Sequence, residues 1–396
     1  MNAQERIVKT INHEEPDRVP WFELGIDNLK IVGHYGSKYE LQGFGKVLKD
    51  LYKSFKGDKK QFNENLRNLV YSKATQKMAM KPVVKLYKDI GIDAAIVPIA
   101  LYQLDYEETG FVDEYARKFE VIKTSDGMDF FYYRGGILKD FDDYEAFPPL
   151  DPDLPFRKYS YEVAKELERK MNGDIYIIPA YAGMMEATWE SFGIENFSRL
   201  LTKPKSIKKV FDDMGKFAVE LTKRIIEWGE TGACLIFDDY GYKKGLFMSP
   251  KNYRKYVFPW LEQICKTAHK GGIKVILHSC GDIFTVLDDL IKAGVDALHP
   301  IEPTTANPEY NIIKLKEKMG KDMTFVGNVS PQDLSDKSPD FIKNYTKELI
   351  KEVAPGGGFI LSSGHSINPA VKLENFLAMK ETLEKYGNYP IGSIPD

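Results

Sequence analysis

The tripeptide His278-Ser279-Cys280 closes the apolar run Lys274-Val275-Ile276-Leu277 and precedes Gly281-Asp282. Side chains two residues apart on an extended strand point to the same side. An imidazole nitrogen and a thiolate sulfur on one face make half of a zinc site. Both residue types are scarce, six His and three Cys in 396 residues, so their meeting at one strand end carries weight. Four of the six His (His269, His278, His299, His365) fall in the last third of the chain, and three of them follow or end apolar runs.

Carboxylates gather at similar positions. Asp238-Asp239-Tyr240 comes directly after Leu235-Ile236-Phe237. Adjacent residues face opposite ways, so one of the two acids is expected to point inward. Either could also cap a helix or pair with Lys243 or Lys244. Other apolar runs deliver Glu23 and Asp27, Tyr181 with Glu186 soon after, Glu302, and Asn328. Taken singly, His299 before Pro300 reads as a satisfied core histidine, Glu302 as a helix cap and Cys280 as a small buried residue. Taken jointly, His278, Cys280 and His365 read as a zinc site, with Glu302 as a possible extra ligand. Three protein ligands and one open position define the catalytic kind of site. Asp239 or Glu186 would then orient substrate or relay a proton. Trp21, Glu23, Tyr181, Asp238, Tyr240 and Asn328 would line the substrate.

Such residues need elements to hold them. The chain opens with a helix expected over Ala3 to Ile11. Eight short apolar runs follow at intervals: 19–24, 94–99, 175–179, 233–237, 274–278, 297–301, 324–328 and 359–363. The stretches between the last five read as helices over 252–270, 283–293, 311–319 and 339–352, the first three stopped by Gly271, Gly294 and Gly320. Eight strands alternating with helices imply an α/β fold of the (β/α)8 TIM barrel type, whose chemistry collects at the strands' C-terminal ends. A doubly wound open sheet is the alternative, but no Gly-x-Gly-x-x-Gly follows any run. From Phe111 to Leu150 the pattern changes to polar and aromatic, with Thr124-Ser125-Asp126-Gly127 as a hairpin turn. This reads as a β-hairpin insertion after the second strand, within a single barrel domain spanning 1–396. It would serve as a lid, a substrate wall or plain surface.

Composition narrows the function classes. Hydrophobic residues make up 43% and charged residues 29%, as in ordinary globular proteins, and the net charge of -3 leaves no basic footprint for nucleic acid. No apolar run is long enough for a membrane span. The first residues lack a secretory pattern. Three scattered cysteines suit a reducing compartment, so a cytoplasmic setting is expected.

Several segments together resemble the uroporphyrinogen decarboxylase superfamily. They are Glu15-Pro16-Asp17-Arg18-Val19-Pro20, Phe237-Asp238-Asp239-Tyr240-Gly241 with Met248-Ser249-Pro250, and His278-Ser279-Cys280-Gly281-Asp282. Gly327-Asn328-Val329-Ser330-Pro331 and Gly364-His365-Ser366-Ile367, leading to Glu374-Asn375, complete the set. The resemblance implies a (β/α)8 barrel. The superfamily also contains zinc-dependent methyltransferases that work with corrinoid proteins. That branch carries His-x-Cys on its fifth strand and a later cysteine near its eighth; here His278 and Cys280 match the pair, and His365 stands where the cysteine is expected. The decarboxylase branch carries Arg-Gln-Ala-Gly-Arg after its first strand. This chain reads Phe22-Glu23-Leu24-Gly25-Ile26-Asp27-Asn28 there, with acids that would repel an anionic tetrapyrrole. The resemblance therefore implies a methyltransferase moving a methyl group between a methoxy compound or thiol and a corrinoid protein. A decarboxylase of a tetrapyrrole or related acid, and a non-catalytic binding barrel, are the alternatives.

Overall fold

Seven of the eight apolar runs form one curled parallel sheet. In the computed structural model, which describes residues 1–36, 44–55 and 57–394, these strands are β1 (Ala94–Ala100), β6 (Tyr176–Ala182), β7 (Ala233–Phe237), β8 (Lys274–His278), β9 (Ala297–His299), β10 (Thr324–Val329) and β11 (Phe359–Ser363), in that spatial order. The run at 19–24 does not become a continuous strand. Pro20 lacks the N–H that a ladder needs, and only single parallel bridges form, Trp21 to Leu361 and Phe22 to Ala94. Phe22 N–H donates to Leu361 O at 2.9 Å and Glu23 N–H donates to Ala94 O at 3.4 Å. This segment therefore meets both edges of the sheet, a TIM-barrel-like arrangement.

Strand alternation divides the core. Phe22, Ala94, Tyr176, Ile178, Leu235, Ile276, Val326 and Ile360 pack together inside the curl. Their neighbours Ile177, Ile236, Val275, Leu277, Phe325 and Leu361 pack outward into the helix layer. Helix α1 (Ala3–Ile11) inserts Ala3, Ile7 and Ile11 into the inner cluster at the strands' N-terminal end. Its start is fixed by a capping box between Asn2 and Glu5.

The helix expected over 252–270 is interrupted. A short turn (Pro250–Asn252) runs into a π-helical turn (Tyr253–Val257) before α6 (Phe258–Lys270). Pro259 has no N–H for an α-helical bond, and the widened turn accommodates it. No helix among the described residues is long and apolar enough to cross a membrane.

The stretch after β1 holds a four-stranded antiparallel sheet rather than one hairpin: β2 (Gln103–Tyr106), β3 (Gly110–Asp113), β4 (Arg117–Lys123) and β5 (Asp129–Gly136). It begins before Phe111, and Phe141–Ala146 is helical. The turn between β4 and β5 falls at Thr124 to Gly127, where Gly127 takes the left-handed backbone (φ 93°) such a turn needs. The sheet presses on α4 (Met184–Leu201): a Cβ on Gly136 would lie 2.0 Å from Ser191 O. Tyr133 donates to Glu190 O at 2.6 Å, and Arg117 pairs with both Asp113 and Glu190 at 2.7 Å. Helix α4 also carries Glu186, so the sheet steadies one wall of the site below.

Candidate metal centre

Inward register decides which strand-end residues meet. Ile276 faces the inner core, and His278, two residues on, therefore faces inward at the C-terminal end of β8. Cys280 keeps the same side beyond the strand. His365 follows β11 on a loop pinned to the segment after Glu23: Ile367 N–H donates to Gly25 O and Asp27 N–H donates to Ile367 O, both at 2.8 Å. The outcome is a cluster in which ligand atoms of His278, Cys280 and His365 all lie within 4.8 Å of one another. Cys280 Sγ is 3.6 Å from His278 Nε2. Two donors on one tetrahedral zinc, at roughly 2.1 and 2.3 Å, lie about 3.6 Å apart. The donor set and this spacing fit zinc.

The cluster grades from inside to outside. His278 is buried, Cys280 half-buried and His365 exposed. Cys280 N–H donates to Asp239 Oδ1 at 2.6 Å, and Gly281 N–H donates to Glu302 Oε2 at 2.7 Å. Gly281 has φ 84°, and a Cβ there would strike Gly241 C at 2.3 Å, so only glycine lets the two loops close. Burial, then the charges of Asp239 and Glu302, pushes the Cys280 thiol well up. A thiolate at this position needs a compensating cation.

His278 turns its other nitrogen inward. His278 Nδ1 lies 2.7 Å from His299 Nδ1, with the rings stacked at 4.9 Å between centroids. His299 Nε2 lies 3.2 Å from both Ser363 O and Ser362 Oγ. Burial pushes both imidazoles down, His299 to about 3, so each ring is neutral near pH 7. His299 is the satisfied core histidine that the sequence suggests, buried and hydrogen-bonded at both ring nitrogens, and one of its partners is His278 of the cluster. The signal was available: His278 and His299 are register partners on adjacent parallel strands.

Of the acid pair, Asp239 points to the cluster, with Oδ1 3.9 Å from His278 Nε2. Asp238 points outward, where its Oδ1 accepts from Glu186 N–H at 2.8 Å at the start of α4. It holds a helix and is not at the mouth. Glu186 Oε2 accepts from Asp239 N–H at 3.3 Å, which joins α4 to the site. Burial, and then the charge of Asp239, raises the Glu186 carboxyl well above the carboxylate range. Glu302 adjoins the cluster without entering it, its second oxygen accepting from Thr304 Oγ1 at 2.6 Å.

Other sequence-selected residues lie elsewhere. Trp21, Tyr181 and Tyr240 belong to the outer core. Trp21 packs on Phe376 and donates from Nε1 to Glu23 Oε1 at 2.8 Å. The Tyr181 hydroxyl meets Thr222 Oγ1 at 2.7 Å, and Tyr240 packs on Tyr253 and Phe258. Glu23 is fully buried, bonded to Trp21 and Ser363. Asn328 donates to Ile301 O and accepts from Tyr345. Their places near strand ends were read correctly, but outward register takes Trp21, Glu23 and Tyr181 away from the mouth. The inward side offers Phe237 instead, its ring 5.4 Å from that of His278. A cavity of about 380 Å³ lined by Asn2, Glu5, Glu168 and Gly232 opens at the strands' N-terminal end, away from the cluster.

Residues 132–386 match the family model of uroporphyrinogen decarboxylase (URO-D), and the chain belongs to that family. The uroporphyrinogen decarboxylase of Geotalea uraniireducens is 26% identical over 246 residues, 60% of this chain and 67% of that one. That of Geotalea daltonii is 30% identical over 246 residues, with the same shares of 60% and 67%. The chain thus spans about two thirds of these curated relatives' length. Among solved structures, a methyltransferase from Methanosarcina mazei superposes with a TM-score of 0.67 at 17% identity, covering 98% of this chain and 99% of that one. The fold is shared over nearly the whole of both chains.

Proposed function

We propose that this chain is a zinc-dependent methyltransferase that moves a methyl group between a small methoxy compound or thiol and a corrinoid protein. In this reading it is one (β/α)8 barrel over 1–396, working in the cytoplasm, with the bridging segment 19–24 in the place of the first strand and the β2–β5 sheet as an insertion. The carrying observation is the convergence of His278, Cys280 and His365 from two strand ends. A solved relative in fold is a methyltransferase.

His278 Nε2, Cys280 Sγ and a His365 ring nitrogen would hold the zinc, which when bound supplies a Lewis acid that acidifies a thiol or polarises an ether oxygen. Asp239 fixes the Cys280 backbone through its Oδ1 and so aims the sulfur. Burial raises both Asp239 and Glu186, the charge of Asp239 raises Glu186 further, and the charges of Glu190 and Glu302 raise Asp239, so this pair can hold a proton between them near neutral pH. They are the proposed proton relay for a thiol that must lose its hydrogen. Phe237 supplies an apolar wall beside His278.

The named relatives favour decarboxylation as a second reading. Against it stands the acidic surround of the cluster, Asp239, Glu186 and Glu302. The nearby Arg117 is taken up by Asp113 and Glu190. Metal analysis of the purified protein separates the readings. About one zinc per chain, lost in Cys280→Ala, with methyl transfer from methylcobalamin to a thiol, is expected. A zinc-free protein releasing CO2 from uroporphyrinogen would overturn the proposal.

A further inference from the structure

We infer that His299 is a positioning residue: through a directional hydrogen-bond relay from Ser363 it sets the tautomer of His278, baring Nε2 toward the cluster. This rests on the zinc reading above, but its steps follow from donors and acceptors alone. Ser363 O is a carbonyl and can only accept. His299 Nε2 lies 3.2 Å from it, so this nitrogen carries the hydrogen. Ser362 Oγ–H also donates to Ser363 O at 2.8 Å, leaving the hydroxyl's lone pairs toward His299 Nε2 at 3.2 Å. A neutral imidazole has one N–H, so His299 Nδ1 is then an acceptor. Its neighbour at 2.7 Å, His278 Nδ1, must donate to it. His278 Nε2 is thereby left with a free lone pair, 3.6 Å from Cys280 Sγ.

The opposite order fails at the first link. A bare His299 Nε2 could accept from Ser362 Oγ, but it would set its lone pair against that of Ser363 O. It would also place a hydrogen on His278 Nε2, the nitrogen a metal needs free. Partners that orient a ligating histidine in this way change metal affinity by roughly 10–100-fold when removed.

Two measurements test the inference. In the metal-free wild-type protein, histidine nitrogen–proton correlation spectra at pH 7.5 should show His278 protonated on Nδ1 and His299 on Nε2. In zinc competition titrations, His299→Leu should bind about 10–100-fold more weakly. His299→Asn, which keeps an acceptor near the Nδ1 position, should restore most of the affinity. A His278 ring protonated on Nε2 in the wild type overturns the relay. So does a folded His299→Leu protein that binds zinc as tightly as wild type. If His299→Leu does not fold, the wild-type spectrum decides alone. Wild-type protein with the stated tautomers but no zinc affinity upholds the relay and sinks the zinc reading instead.

Discussion

Glu23 is a carboxyl group placed where a charge is costly. It is fully buried against Trp21 and Ser363, and burial pushes it up to about 7 from an ordinary 4.5. The Ser363 hydroxyl contacts both Glu23 Oε2 and His365 O. One hydroxyl hydrogen satisfies both contacts only when Glu23 carries its own proton. Because the folded pKa lies above the unfolded one, the native state binds the extra proton between these values. This contribution is full below about pH 4.5 and is lost as pH rises through about 7, a change of about 3 kcal/mol. Urea unfolding of Glu23→Gln should show a flatter stability profile across that window, whereas Glu23→Ala should lose about 1–3 kcal/mol at pH 5 from unpaired partners. An unchanged profile in the Gln variant would refute the assignment. From sequence, Glu23 reads as a substrate contact because it ends an apolar run. Trp21 and Glu23 share one side and Phe22 takes the other, so placing Phe22 in the core would have sent Glu23 outward.

Helix α4 shows the same lesson one level up. Its N-cap Gly183 has no side chain to offer, and Asp238 from the end of β7 supplies the missing acceptor at Glu186 N–H. A Cβ on Gly183 would lie 2.3 Å from the Asp238 carboxyl carbon, so the small residue makes room for the borrowed cap. Asp238→Ala should therefore destabilise by about 1–2 kcal/mol and displace Glu186. Asp238→Asn, which keeps the acceptor oxygen, should cost less. Thermal unfolding of both variants checks this; equal losses would mean that charge, not capping, matters. Most elements were legible because strands such as Ala233–Phe237 and Phe359–Ser363 are apolar runs bounded by turn residues, and the last helices end at glycine. The strands β2 and β3 were not, since Gln103-Leu104-Asp105-Tyr106 and Gly110–Asp113 are too short and too polar to show an alternation. The candidate metal-binding cluster was legible because histidine and cysteine are rare here. The relay through His299 was not, because it depends on register between strands, which no single segment contains.

The molecule divides the proposed chemistry at one end of its strands from a buried ion-pair network at the other. At the N-terminal end Arg6 bonds Asp17 and Asp93 at 2.6 Å, and Arg18 bonds Asp93 at 2.8 Å. Asp93 also accepts from Trp21 N–H at 2.8 Å, tying α1, the bridging segment and β1 into one network. At the C-terminal end sit the candidate metal-binding cluster and the carboxylates beside it, with the Glu186 carboxyl raised and His365 exposed. Removing one partner of a buried ion pair costs about 3–5 kcal/mol, because the other charge stays behind unpaired. Asp93→Ala should thus lower the urea midpoint strongly, while the fraction that remains folded binds as much zinc as wild type. Cys280→Ala should do the reverse, abolishing zinc while leaving the midpoint of the metal-free protein close to that of metal-free wild type. Zinc binding to the native state adds stability by mass action, so both comparisons belong in chelator as well as in zinc. If Asp93→Ala loses zinc from its folded fraction, the two ends are coupled through the sheet and the division is wrong.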